Sequence, residues 1–337
     1  MSRWRYFFKR LLLTVPIVFS VMTFLFLILR KGPLDPVAAR LGPEASGADV
    51  TRLRENLGLN DPLWDQYVTF VTDLVTFSGQ SWVVRAGQPV SEAIASVAPV
   101  TLWLGFWAIL LPLFIGIPLG FYAGLHPNSL GDYTASVSGI LWLALPNFWL
   151  AVMALAFLRR SRGGWFGFDW YTIGPDINSL VGQDPSLTFD SLQTILVDIK
   201  LILPAALILG SASMAAELRI GRTAILETIN SKYVETAKAK GLKSRTIVWK
   251  HIFRNAMIPL LPIITNEAFI LIGGSVIVES IFSINGLGRM YFLAITQADL
   301  PLAGAIVFLF TLLIVFLNVV QDFLYTVIDP RVGIDNE

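Results

Sequence analysis

The chain has 337 residues, of which 55% are hydrophobic and only 15% are charged, and its mean hydropathy is +0.66. This composition is far more apolar than that of a soluble domain and indicates an integral membrane protein. The 25 basic and 24 acidic residues nearly cancel, so the net charge of +1 does not suggest a nucleic-acid partner.

The residue types also exclude several kinds of site. The sequence has no cysteine, which removes disulfides, thiolate metal ligands and a cysteine nucleophile. His126 and His251 lie far apart and outside any metal-binding motif, so we expect no zinc or iron site. A P-loop pattern, G-x-x-x-x-G-K-[ST], does not occur. We therefore expect no cofactor in this chain, and energy from a nucleotide must arrive through a partner.

The first predicted element is an apolar helix over residues 11–29. The run is about 19 residues long, enough to cross a bilayer. Basic residues precede it, and no small-residue cleavage site separates it from Arg30 and Lys31. Residues 1–31 therefore predict a cytoplasmic tip followed by a retained first transmembrane helix.

Residues 32–98 are polar, interrupted by prolines and mostly acidic, which fits an extracytoplasmic segment. Apolar residues at helical spacing within 53–57 and 63–71 predict two short surface helices. Turn residues such as Gly58 and Pro62 mark the breaks between them. We expect this segment to lie on the membrane protein without forming an independent domain.

Five further apolar runs predict the rest of a six-helix core over residues 99–328. The run that ends just before Glu217 is the shortest. The runs span 100–124, 135–158, 201–217, 258–283 and 301–326. Six spans place both termini, including a tail at 329–337, in the cytoplasm together with a polar loop at 219–256. That loop holds nine Lys or Arg residues and two acids, in agreement with the positive-inside tendency, whereas Arg159 and Arg160 fall on the predicted outer side.

The loop contains a short helix with well-marked ends at 233–242. Ser231 is suited to cap its start, Glu235 lies near its positive end, and Gly241 fits a left-handed stop. Ala237 and Gly241, four residues apart, would leave one face nearly bare, so that a partner could approach the backbone. The other candidate contacts are Thr236, Lys238 and Leu242. These residues alone fit two interpretations equally: a docking helix gripped by a soluble partner, or an amphipathic helix on lipid headgroups.

Polar residues at membrane depth are candidates for a translocation pathway. Glu267 lies about ten residues into the fifth run beside Asn266, and an acid near the middle of a bilayer costs a few kcal/mol unless it faces protein or water. It could meet a charged solute or bond to a neighbouring helix. Asn147 in the third run is a weaker candidate, because Pro146 alone can make a helix irregular there.

Several strings resemble one family. The string E-T-A-x-x-x-G at 235–241, followed by HIFRNAMIP at 251–259, resembles the E-A-A-x-x-x-G signature of ABC importer permeases, with Thr236 in place of the first alanine. The dipeptide, oligopeptide and nickel branch is indicated by four more strings: ENLGLNDPL at 55–63, LPNFWL at 145–150, GGSVIVESIF with GLGR at 273–289, and DFLY with DPR at 322–331. The resemblance runs over nearly the whole chain.

The resemblance implies an all-α, MetI-like permease fold with six transmembrane helices in the cell membrane. It implies that the chain pairs with a second, similar permease, that two ATPase subunits carry ATP and magnesium, and that an extracytoplasmic binding protein delivers the solute. Residues 233–242 would be the coupling helix seated in a groove of one ATPase.

Two other classes of protein remain alternatives. A secondary transporter or channel working alone would be indicated by an internal repeat or by buried charges in matching halves, and the sequence has neither. An intramembrane enzyme would need a nucleophile and base, or a metal motif, at depth. The sequence does not identify the solute, and dipeptides, longer peptides, nickel chelates and some sugars are all compatible with this branch.

Overall fold

The computed structural model describes residues 3–160 and 192–328. Within these ranges the regular elements are helices, together with an isolated antiparallel bridge between Gln80 and Pro89. All six predicted apolar runs lie on helices. By length and composition, four helices of the described residues can cross a membrane, or six if each of two sharply bent helix pairs is one span. The all-helical membrane fold is confirmed, while the side on which each terminus lies stays a prediction.

Helix α1 (Arg3–Lys31) carries the first predicted run and ends in two basic residues. Positive charge in the last turn suits the negative end of the helix dipole. Arg30 donates from Nη2 to the Leu59 carbonyl oxygen over 2.6 Å, and from Nε to the side-chain oxygen of Gln66. The end of α1 is therefore fastened to the segment that follows it.

That segment contains three short helices rather than the predicted two. They are α2 (Pro36–Leu41), α3 (Gly47–Asn56) and α4 (Leu63–Thr76). The sequence predicts α3 and α4 but not α2, because six residues are too few to show a periodicity. The signal for α2 is its cap: the Asp35 carboxylate accepts the Val37 N–H over 3.0 Å, with proline in the first turn.

The second run forms one continuous helical stretch. It consists of α5 (Val90–Leu111), a π-helical turn (Pro112–Gly116) and α6 (Ile117–Leu125). Because Pro112 has no N–H for the α-helical ladder, the backbone widens there into a π-helix. The stretch begins at Val90, so the predicted limit at 98 falls inside α5.

The third run is a bent pair, rather than the single continuous helix that its hydropathy predicts. Helices α7 (Leu130–Ala144) and α8 (Asn147–Arg160) meet at 92°. Between them Leu145 is extended, with φ −92° and ψ 121°. The following Pro146 explains this conformation, because proline disfavours the helical region in the residue before it.

Helix α9 (Leu192–Ile229) is much longer than the predicted run at 201–217. Its 38 residues extend about 57 Å at 1.5 Å per residue. Hydropathy detects only the apolar middle of this helix. The first part of the predicted polar loop at 219–256 is therefore the continuation of α9.

The remaining elements follow α9 with short connections. They are α10 (Lys232–Ala239), α11 (Ser244–Thr246), a second π-helical turn (Ile247–Phe253), α12 (Arg254–Phe282), α13 (Leu287–Thr296) and α14 (Leu300–Ile328). The end of α12 and α13 form an angle of 89°. Helices α12 and α14 carry the fifth and sixth predicted runs.

Glycines let α9 pack directly on the stretch from α5 to α6. A Cβ built on Gly116 would lie 2.7 Å from the Met214 carbonyl oxygen, and one on Gly120 would lie 2.5 Å from that of Leu218. Small residues allow membrane helices to approach to backbone contact in this way. Helices α5, α6 and α9 thus form one closely packed unit, and α9 leads directly into α10.

Candidate functional site

The first candidate site is the short helix α10 with its two ends, here called segment 231–242. Its left-handed stop is confirmed: Gly241 has φ +71°, and the Leu242 N–H reaches the Ala237 carbonyl oxygen over 3.3 Å. The predicted side-chain cap is wrong. Ser231 occupies the capping position, but its hydroxyl donates back to the Thr228 carbonyl oxygen over 2.6 Å.

The inner face of α10 is packed against this chain. Val234 and Ala237 are buried in a cluster that includes Ile225, Ile247 and Ile252. The prediction that Ala237 offers a bare face to a partner is therefore wrong. Its small side chain instead lets α10 lie close to α9 and to the second π-helical turn.

The outer face of α10 is open to solvent and holds the other predicted contacts. Tyr233 and Leu242 are exposed to 45% and 41%. The other predicted contacts that are exposed are Glu235, Thr236, Lys238 and Gly241. A Cβ built on Gly241 would meet no atom within 4 Å. The segment thus joins an apolar inner face to a polar outer face of mixed charge.

Trp249 is an exposed aromatic residue that follows segment 231–242 in the chain, and it is missed by the sequence analysis. It lies on the second π-helical turn, is 60% exposed, and packs on the Phe253 ring with centroids 5.2 Å apart. The sequence feature that could have indicated it is a tryptophan in an otherwise basic stretch. Exposed aromatic side chains that pack on a neighbouring residue of their own chain commonly anchor protein interfaces.

An ion pair that the sequence does not reveal fixes α9 below this surface. Arg222 donates to both carboxylate oxygens of Asp132, with Nη2 at 2.9 Å from Oδ2. Asp132 is almost fully buried and also accepts the Asn128 N–H over 3.0 Å. Because both charges are paired and hydrogen-bonded, the contact ties α7 to α9 in a defined position.

The second candidate site is a pair of acids between α9 and α12. Glu267 is 2% exposed and Glu217 is fully buried, and their carboxyl groups interact with each other. The Ser213 hydroxyl also interacts with Glu267. Among the described protein groups, none donates a hydrogen bond to either oxygen of Glu217 or to Oε2 of Glu267. The sequence analysis singles out Glu267 but treats Glu217 only as the end of an apolar run.

The other two pathway candidates are not brought to this pair by any described contact. Asn266 lies on α12, but its side chain is outside the described residues. Asn147 is partly buried and is the first residue of α8, at the bend after Pro146. There the Pro146 carbonyl oxygen accepts the Trp149 N–H over 3.0 Å.

Glu279 lies in the string GGSVIVESIF and connects it to the string GLGR that follows. Its buried carboxylate accepts the Thr101 hydroxyl over 2.8 Å and the Arg289 N–H over 2.9 Å. Thr101 in turn accepts the Leu287 N–H over 2.7 Å. A Cβ on Gly286 would lie 2.5 Å from the carboxylate, so only glycine fits there. This acid holds α13 at its angle to α12.

Asp299 makes a similar connection at the start of α14. Its buried carboxylate accepts the Ser81 hydroxyl over 2.6 Å. It also accepts the backbone N–H groups of Trp82, Val83 and Val84 over 2.9–3.0 Å. One side chain thereby fastens the loop before α5 to the end of the helical core.

Comparison with known families now identifies the chain. Residues 116–334 match the family described as binding-protein-dependent transport system inner membrane component, and residues 3–104 match its N-terminal part. The chain belongs to this family. It is a permease subunit of a binding-protein-dependent importer and a multi-pass membrane protein, as the resemblance predicts. Members of this family are the membrane components of such transporters and are not themselves catalytic.

Curated relatives cover almost the full length of this permease. It is 34% identical to the oligopeptide transport system permease protein AppB of Bacillus subtilis, over 97% of this chain and 98% of that protein. It is 32% identical to the dipeptide transport system permease protein DppB of Alkalihalophilus pseudofirmus, with the same coverage. It is 33% identical to the glutathione transport system permease protein GsiC of Salmonella paratyphi A, again with 97% and 98% coverage.

Proposed function

We propose that this permease forms half of the membrane pathway of an ATP-driven importer for dipeptides or oligopeptides. A second homologous permease forms the other half, and an extracytoplasmic binding protein delivers the solute. Two ATPase subunits bind ATP and magnesium on the cytoplasmic side, where both termini of this chain also lie. The peptide substrate is supported by the relatives, which are named for oligopeptide, dipeptide and glutathione transport.

Segment 231–242 docks on one of the ATPase subunits. The observation that carries this assignment is its two-sided construction: Val234 and Ala237 are locked into the permease core, while Glu235, Thr236 and Leu242 face outward. A helix of eight residues is marginal in water, so packing on its inner face must hold it in shape. The outer face is then free to be gripped.

Movement of the docked segment is transmitted through α9. The Arg222–Asp132 pair binds α9 to α7, and the contacts of Gly116 and Gly120 bind it to the stretch from α5 to α6. A helix held this tightly moves together with its neighbours as a rigid body. ATP-driven displacement of the ATPase groove would in this way open the cavity between the two permeases to alternate sides.

Glu267, Asn266 and Asn147 are proposed to lie along the translocation pathway. We expect Glu267→Ala to alter the affinity or selectivity of peptide uptake more than the assembly of the complex. Uptake competition between peptides, together with the yield of purified complex, measures both. A loss of assembly with unchanged selectivity would make Glu267 a structural residue only.

The docking assignment is tested with a matched pair of glycines. Gly241 and the exposed Gly87 have φ values of +71° and +81°, and neither has an atom within 4 Å of a built Cβ. Gly241→Trp and Gly87→Trp therefore both place a large side chain at a positive φ, with a backbone strain of about 1–3 kcal/mol. We expect only Gly241→Trp to release the ATPase subunits during purification and to abolish ATP-dependent uptake. Retention of the ATPase by Gly241→Trp would refute docking at this segment.

A charge reversal probes the same surface without backbone strain. Glu235→Lys should reduce ATPase retention and uptake, whereas Glu55→Lys, also on an exposed position of a short helix, should leave both unchanged. The alternative of a stand-alone transporter has its own test. The permease alone in vesicles should not accumulate peptide, and uphill transport without an ATPase would favour that alternative.

A further inference from the structure

Glu217 and Glu267 lie on the two helices that flank segment 231–242. Helix α9 leads into this segment, and α12 follows it after the second π-helical turn. The two helices pack on each other and form the arms of a hairpin whose tip is the proposed docking surface. The two acids meet between these arms.

The two acids have too few hydrogen-bond donors when both carboxyl groups are ionised. An ionised carboxylate only accepts hydrogen bonds, so two of them have no donor to share. Among the described protein groups, both oxygens of Glu217 and one of Glu267 have no donor, and both side chains are buried. Two like charges in an apolar interior also repel strongly. A proton shared by the two carboxyls, or a cation, would complete the site.

The described surroundings supply no cation. The groups that interact with either carboxyl are the other carboxyl and the Ser213 hydroxyl. Arg222 is bound by Asp132, and Arg289 donates to the Ser283 carbonyl oxygen. The elements packed on α9 and α12 are α5, α6, α7, α8, α13, α14 and the two π-helical turns. Of the other described acidic and basic residues on all these elements, Glu279 is held by hydroxyl and N–H groups and His251 lies 16 residues before Glu267 along the chain. The rest are exposed: Glu92, Arg159, Arg160, Arg219, Glu227, Lys250 and Arg254.

We propose that Glu217 and Glu267 bind one proton between them and thereby join α9 to α12. One carboxyl keeps its proton and donates it to an oxygen of the other, which supplies the missing donor and removes one of the two charges. This hydrogen bond, here called the clasp, connects α9 to α12. Only the consequence for transport rests on the proposed function: with the clasp closed, displacement of segment 231–242 moves both arms together.

Infrared spectroscopy of the assembled transporter in lipid nanodiscs tests the proton directly. We expect one carbonyl stretch of a protonated carboxyl per chain at neutral pH that is lost in the double variant Glu217→Gln/Glu267→Gln. The control is Glu227→Gln, an exposed glutamate on the same helix α9, which should leave this band unchanged. The readout is the difference between the wild-type and double-variant spectra, because other buried carboxyls such as Glu279 can contribute a band to both. A difference spectrum without the expected band would overturn the proposal. This readout does not depend on ATPase docking.

Transport separates a clasp from a binding site for the solute. Glutamine side chains both donate and accept hydrogen bonds, so the double glutamine variant should carry as much peptide per ATP hydrolysed as the wild type, whatever its affinity for peptide. It should lose any change of this ratio that follows deprotonation at high pH. Replacement by alanine at both positions, which cannot bridge the helices, should lower the amount of peptide carried per ATP hydrolysed. If the glutamine variant lowers this ratio as much as the alanine variant does, a hydrogen bond between the two helices does not support coupling and the clasp is refuted.

Discussion

Two regions of this permease bury acidic side chains in opposite ways. At one end of the fold, Glu279 and Asp299 are surrounded by hydroxyl and backbone N–H donors that fix the start of α13 and the loop before α5. Between α9 and α12, Glu217 and Glu267 have chiefly each other. A buried carboxylate with donors acts as a structural joint. A buried pair whose described partners are each other and the Ser213 hydroxyl has too few donors for two carboxylates, which makes it the stronger candidate for binding a proton or a ligand.

The largest effect is expected when a joint is removed. Asp299→Ala leaves the Ser81 hydroxyl and four backbone N–H groups, those of Trp82, Val83, Val84 and Leu302, without their acceptor. At about 1–3 kcal/mol for each unsatisfied donor, partly offset by hydration, the loss of stability should be about 3–5 kcal/mol. Unfolding of the purified permease in mixed micelles measures it. Glu55→Ala, on an exposed position nearby, should change the stability little. An equally small effect of Asp299→Ala would show that the joint is dispensable.

A smaller loss of stability is expected when the space around a structural carboxylate is reduced but the carboxylate itself is kept. In Gly286→Ala, the new methyl group meets the Glu279 carboxylate at 2.5 Å. Overpacking of this kind costs about 1–3 kcal/mol. Gly105→Ala provides the control, since a Cβ there meets no atom within 4 Å and alanine favours the helix. The same micelle unfolding compares the two variants, and equal stabilities would contradict the tight fit at Gly286.

The smallest effect on stability is expected at the pair itself. Replacing both acids at once, as in Glu217→Met/Glu267→Met, removes the two polar groups together and leaves no described donor unsatisfied except the Ser213 hydroxyl. Such double replacements are often nearly neutral, so the change should stay within about 1 kcal/mol. A loss as large as that of Asp299→Ala would place the pair among the structural joints and remove the contrast between the two regions.

Local signals in the sequence predict the surface of segment 231–242 well but not its packing. Gly241 as a left-handed stop follows from residue type alone, because only glycine takes that conformation freely. The burial of Ala237 does not follow, since an alanine suits either a partner's face or the chain's own core. The failed cap at Ser231 has the same origin: its hydroxyl has two acceptable partners, and the path of α9 into the turn decides between them.

The sequence did not reveal which distant residues form pairs, and the reason is a different one. Arg222 and Asp132 are 90 positions apart, and Asp299 and Ser81 are 218 apart. No periodicity links such pairs. Glu217 shows the same limit, because its position after an apolar run suggests the end of a span, whereas α9 continues to Ile229.

The sequence by itself determined that this protein lives in a membrane, that its apolar runs are helices, and that it belongs to the importer permeases. These features depend on composition, on run length and on short strings of residues, all of which are local. Only the tertiary structure decided that the third run is bent by 92°, which face of α10 is buried, and which acids are paired with donors. Those outcomes depend on contacts between distant helices, and a carboxylate or an alanine acquires its role only from the neighbours that such contacts provide.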